Sequence, residues 1–267
     1  MNGTDLSEVM GPLHGAEVIP IKKREVKNAY VIDGFPSVGL VGSIAANYLV
    51  TFLKLELIAV MDAPFFPAIS MIRDRRPNSP VRVYAGDIGK GQGDRIVVFV
   101  SEFQPPPAAV KPLANAMMDW IEENRCRMLI SPEGMAIPKD KTPEEFEYPL
   151  NQAFGVASTD SARRLLEDYE IPPFETGVIM GLAGVLLNEG VNRDTDVISL
   201  LSTAHADYPD ARAAAACISA IDRILLHVEL DTDPLLKEAE IIEGHLKEIY
   251  KNAGEEESPR PKSIMYG

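Results

Sequence analysis

Cysteine is almost missing from this chain: 267 residues hold two, Cys126 and Cys217, far apart in sequence. That excludes a disulfide framework, and without a C-x-x-C pair neither a zinc ribbon nor a thioredoxin-like redox centre is expected. Both cysteines fall in apolar or helical runs and read as buried thiols. Basic residues are in deficit, 26 Lys and Arg against 40 Asp and Glu, so the formal charge is −14. A chain of this balance lacks the electrostatic footprint for nucleic acid or for an anionic membrane surface. Long apolar runs are missing as well, since charge interrupts each one before the ~20 residues that a bilayer requires. The first residues, MNGTDLSEVMG, carry acids where a secretory signal has a basic region, and no apolar core follows. A soluble, intracellular, cytoplasmic protein is expected. Histidine is scarce: His14, His205, His227 and His245 stand far apart.

What remains is globular. Hydrophobic residues make up 46% of the chain, and its length suffices for one large or two small domains with a substantial core. The organising stretch is 30–53, YVIDGFPSVGLVGSIAANYLVTFL. Tyr30, Val31 and Ile32 form a short apolar run that suits a buried strand. Gly34, Pro36 and Gly39 then mark a turn. Val41, Ile44, Ala45, Tyr48, Leu49 and Phe52 recur at three- and four-residue steps, which predicts a helix, and 57–61 is a second apolar run. Strand, glycine turn, helix and strand make a βαβ unit, and a parallel sheet is the architecture it implies.

Glycine turns of this kind invite comparison with phosphate sites. A P-loop requires G-x-x-x-x-G-K-[ST]. Gly34 and Gly39 have the spacing, but Leu40 and Val41 occupy the lysine and hydroxyl positions. The dinucleotide fingerprint G-x-G-x-x-G is present only in its second half, Gly39 to Gly42, although Asp62 ends the next strand where a ribose-binding acid would stand. Close packing of backbone at a tight βα turn is the better account, and neither ATP nor NAD is expected; no cofactor is assigned. A nucleophile elbow, G-x-S-x-G, is the other temptation at Ser37. Phe35 fills the position that the crowded elbow keeps small, so a cap is favoured over a nucleophile. The alternative that stays open is a hydrolase or phosphorylase-like enzyme with a cleft near Ser37 and Glu102. Glu102 follows the apolar run 95–101 (RIVVFVS), and the carboxyl ends of strands line ligand crevices in open α/β sheets. No catalytic residue is assigned.

Further along, 81–84 alternates as a strand, 86–93 reads as a hairpin loop, and 95–101 as a central strand. Phe65 and Phe66 read either as loop packing or as part of an oligomer contact, and Arg73, Arg75 and Arg76 as a surface turn. After Pro105, Pro106 and Pro107 a helix runs to about Asn124, with Leu113, Met117, Trp120 and Ile121 on one face. Strand 128–130 follows, and 132–150 reads as a loop or insertion. Val178 and Ile179 end a strand before a glycine-marked helix containing Gly181 and Gly184, and 196–202 is a buried strand. His205, Asp207 and Asp210 lack a second spaced ligand pair, so Asp210 is read as the cap of an alanine-rich helix to about His227, and no metal is assigned.

A last helix begins at Asp233 and Pro234, with Leu235, Ala239, Ile242, Leu246 and Ile249 spaced as a coiled-coil seam. Beyond it GEEESPRPKS carries no apolar residue, and a ten-residue tether of that composition spans on the order of 17 Å. An apolar cluster, Ile264, Met265, Tyr266 and Gly267, ends the sequence. Three regions are expected: a mobile segment 1–15, an α/β domain 16–252, and a flexible tether with docking tail 253–267.

Several motifs in order, VIDGFPSVGLVGSIAANYLV, SPVRVY, RIVVFVSEF, GVIMGLAGVLLNEG and YPDARAAA, resemble the archaeal branch of the proteasome-assembly-chaperone family over about 21–250. The resemblance implies a three-layer α/β/α sandwich similar to nucleoside phosphorylases, with a mostly parallel central sheet. It implies homo-oligomers and no chemical reaction. Some archaeal members end in a hydrophobic residue, a tyrosine and any last residue, as the proteasomal ATPases do. Met265, Tyr266 and Gly267 match that order, which implies a tail docking between α-subunits of the 20S proteasome and opening its gate. With no Walker motif, the implied role is an ATP-independent activator or assembly factor.

Overall fold

The computed structural model describes residues 15–73, 75–88, 94–101, 103–138, 146–227 and 230–237. Its centre is β2 (Tyr30–Gly34), whose five residues are all buried. No face of that strand meets water, which is why its sequence is a continuous apolar run rather than an alternation. β2 pairs in parallel with β7 (Asp94–Ser101) on one side and with β8 (Met128–Ala136) on the other. β8 in turn pairs in parallel with β10 (Val197–Ala204). The flanks are antiparallel: β1 (Glu17–Pro20), β3 (Glu56–Asp62) and β6 (Val81–Ile88) lead up to β7, and β9 (Ala153–Ala157) lies outside β10. The eight strands run in the order β1-β3-β6-β7-β2-β8-β10-β9, and β4 (Met71–Arg73) with β5 (Arg76–Asn78) forms a separate hairpin.

Helices cover both faces. On one, α1 (Val41–Phe52), α3 (Asp160–Asp168) and α5 (Ala211–Ile221) set Leu49, Leu166 and Ile221 against Ile32, Val98, Ile130 and Leu200. On the other, α2 (Pro107–Glu123) and α4 (Gly181–Arg193) set Leu113, Met117, Ile121 and Leu186 against Val31, Phe99 and Leu129. Alternate residues of β2 thus enter different cores, the period-two consequence of the pleat. The expected three-layer α/β/α sandwich is the observed one.

Three local expectations are corrected, and two elements were not expected. β3 has the same direction as β2 but does not pair with it, because β6 and β7 are inserted between them. The strand at 128–130 continues to Ala136, since β10 supplies partners as far as Ala204. Residues 178–179 are not strand; Val178 is 84% exposed and α4 starts three residues later. β9 and α3 have no counterpart among the expected elements. Of the two aromatics after β3, Phe66 packs edge-on to Phe103 at 5.0 Å and against the second core, as loop packing expects. No helix among the described residues is long and apolar enough to cross a membrane.

Candidate functional site

The carboxyl ends of β2 and β8 lie side by side, and the chain leaves them differently. After β2 it turns through Pro36 and Ser37 and a single 3-10 turn (Val38–Leu40) into α1. Gly39 and Leu40 both take left-handed angles, φ 61° and 55°, which reverse the chain within two residues. Gly39 sits so close to the β10–α5 turn that a Cβ would meet the His205 carbonyl oxygen at 2.9 Å. Gly134 of β8 is tighter, its Cβ position 1.9 Å from the Val38 carbonyl oxygen. These glycines are spent on backbone contact, in keeping with the packing account of the turn.

Ser37 ties the same corner together. Its Oγ accepts from the amide of Gly42 at 3.1 Å and from that of Gly134 at 3.3 Å. The hydroxyl therefore joins the first turn of α1 to β8, a positional role in which it serves as acceptor to two backbone donors. Asp210 acts as the expected cap: its Oδ1 accepts from Ala213 N at 3.0 Å, while Oδ2 accepts from His205 N at 3.0 Å and faces His205 Nδ1 at 2.7 Å. His205 also stacks on Tyr208 with ring centroids 4.7 Å apart. Among the described residues no three His, Cys, Asp or Glu side chains group as a metal site. Glu102, Met265, Tyr266 and Gly267, like His14 and His245, lie outside the described residues.

Two acids that the sequence reading did not single out meet behind this corner. Asp33 of β2 is 2% exposed; its Oδ1 accepts from Phe35 N and its Oδ2 from Ser131 Oγ, both at 3.1 Å. Burial outweighs those bonds and pushes its pKa up from 3.8 to about 6. Glu133, two residues past Ser131, is held well above the usual carboxylate range, by burial first and by the neighbouring Asp33 second. Ser199 Oγ of β10 is buried without a partner. An acid inside the buried run YVIDG is the signal that marked Asp33; nothing local ties it to a residue a hundred positions away.

Glu133 lines a cavity of ≈ 350 Å³ between the strand ends, the α4 start and the segment that precedes it. Phe35, Val110, Leu182 and Leu201 wall it, and Val178 and Met180, 84% and 81% exposed, stand among its outer residues. Such crevices at the carboxyl ends of parallel strands are where open α/β sheets hold ligands. The arrangement raises the pKa of both carboxyls, but the adjacent hydroxyl, Ser37, is engaged by amides rather than by a base.

Known proteins share this architecture. The crystal structure of Pyrococcus furiosus PbaA, an archaeal homolog of proteasome-assembly chaperone, has a TM-score of 0.71 at 30% identity, covering 90% of this chain and 98% of that one. Pyrococcus furiosus PbaB, an archaeal proteasome activator, is similar in fold, with a TM-score of 0.75 at 24% identity over 89% of this chain and 100% of that one. An uncharacterized protein of Methanocaldococcus jannaschii is 28% identical over 227 residues, 85% of this chain and 87% of its own length. Residues 31–250 match the model of the PAC2 family, and the chain belongs to that family.

Proposed function

We propose that the protein is a homo-oligomeric, ATP-independent activator or assembly chaperone of the 20S proteasome. The likeness that carries this reading is to PbaA, described as an archaeal homolog of proteasome-assembly chaperone, over nine-tenths of this chain. The docking element in this reading is Met265-Tyr266-Gly267, entering pockets of the α-ring at the end of the spacer 254–263. A tripeptide binds weakly alone because ordering it offsets much of the contact energy. Several tails on one oligomer raise each other's effective concentration once the first has docked, provided the spacer reaches. Tyr266 is the anchor, by area and by its hydroxyl; Met265 fills an apolar recess, and the carboxylate of Gly267 meets a basic group.

In this reading the α/β body assembles the oligomer and the tail engages the ring. The protein lacking 254–267 is accordingly expected to remain an oligomer by light scattering, and monomers at micromolar concentration would contradict that division. Retention of purified 20S core particles by the immobilised full chain, and its loss when the last three residues are removed, is the expected outcome for docking. Equal retention by both forms would refute the tail as the docking element.

A further inference from the structure

The cavity behind the β2 and β8 ends is walled largely by apolar side chains, with Ser37 and Gln104 among its lining, and among the described residues that line it there is no Lys, Arg or His. Among the described residues that line it Glu133 is the one ionisable group, and no hydrogen bond from a described residue engages its carboxyl. The neighbouring Asp33 has both oxygens engaged, by Phe35 N and by Ser131 Oγ. Glu133 is half-buried, so its carboxyl is reached from the cavity and is open to a donor there. We propose that this cavity binds a small organic amine, its ammonium group seated on the Glu133 carboxyl and its apolar body against Phe35, Leu182 and Leu201.

The other ligand classes fit less well. An anion would face the Glu133 carboxyl with Asp33 behind it, and no cation among the described lining residues. A bare divalent ion requires six or more oxygen ligands, and among the described lining residues Glu133 is the one carboxylate. A neutral apolar molecule would fill the space but leave the carboxyl unpaired. An ammonium donates to Glu133 and lies in the field of Asp33, and the volume of ≈ 350 Å³ suits a compact molecule. Charge balance follows. The titratable groups that face Glu133 among the described residues are Asp33 and, from α5, the Cys217 thiol, which burial pushes up to about 12. Burial and the neighbouring Asp33 favour the protonated form of Glu133, whereas the arriving ammonium favours the carboxylate, so binding shifts the group towards releasing its proton to solvent. This inference does not rest on the proteasome reading and survives its failure.

The test is calorimetric titration of the full chain with n-hexylamine hydrochloride near neutral pH, in two buffers of different ionisation enthalpy, against hexan-1-ol. The expected result is saturable amine binding at least about tenfold tighter than that of the alcohol, with net release of protons on binding. Glu133→Gln, which mimics the neutral acid in shape, should lose at least about tenfold in amine affinity and keep its alcohol affinity. Met180→Lys, at an 81% exposed position that folding tolerates, should also weaken the amine by placing a like charge at the cavity. Equal affinity for amine and alcohol, undiminished amine binding by both variants, or no saturable binding up to about 10 mM would overturn the proposal.

Discussion

Asp33 and Glu133 make stability depend on pH in a direction opposite to that of most carboxylates. Both have folded pKa values raised above their unfolded ones, so between the two values the folded state binds more protons than the unfolded. Stability is then lost as pH rises through that window and stays lower above it. For Asp33 the window runs from 3.8 to about 6, equivalent to about 3 kcal/mol. Glu133 shifts in the same sense, and Glu133→Gln removes its contribution. The variant should gain stability relative to the parent as pH is raised from about 5 to about 8, read from urea unfolding at each pH. A difference that does not change with pH would show that Glu133 is not held protonated. Packing at the same corner makes a second prediction. A Cβ at Gly134 would meet a backbone oxygen at 1.9 Å, and relief requires moving the turn that carries Ser37. Gly134→Ala should cost about 2–4 kcal/mol. Gly181 has φ 73° but no heavy atom within 4 Å of its Cβ position, so Gly181→Ala should cost only about 1 kcal/mol. Equal losses in chemical denaturation would refute the close-approach account. Residue roles of short range, such as the Asp210 cap, were legible in the sequence because cap and helix are adjacent. The Asp33–Ser131–Glu133 cluster was not, because it exists only once β8 is laid beside β2.

Elements were legible where one local pattern sufficed. The 3.6-residue period of α1 and α2, and the continuous apolar runs of β2 and β7, predict what is observed. The errors share a cause, which is partner choice. β8 persists through Pro132 and Gly134 because β10 pairs with it along its whole length, and no local preference for strand is needed. At 178–179 the β-branched pair looks like a strand but has no neighbouring strand to join among the described residues. The helix beginning at Asp233 shows the reverse case. A coiled-coil spacing left open whether it packs on the body or on a sister subunit. Leu235, 6% exposed, packs with Ala45 of α1 and with Ala211, Ala215 and Ile218 of α5, so its start belongs to the body. Leu235→Ala should therefore lower stability by about 2–5 kcal/mol without changing subunit number. A loss of subunits without a loss of monomer stability would place this residue in an interface instead. The seam positions from Ala239 onward lie outside the described residues.

At the scale of the whole molecule, the sandwich followed from motif order and resemblance, whereas the strand order did not. Crossovers such as the one from β2 over β7 and β6 to β3 are decided by long-range packing, for which a single sequence carries no register. The tail is a different case. In the proposed reading its chemistry is written in three residues, and its partner is another molecule. Loss of the Tyr266 ring should cost about 2–4 kcal/mol of binding, as buried aromatic anchors do. The direct measurement is peptide hydrolysis by purified 20S core particles in the presence of the full chain, without ATP. The account predicts stimulation by the parent, none by Tyr266→Ala, and none when extra residues are fused after Gly267, with fold and oligomer unchanged in both. If Tyr266→Ala stimulates as well as the parent, the tail is not what opens the gate.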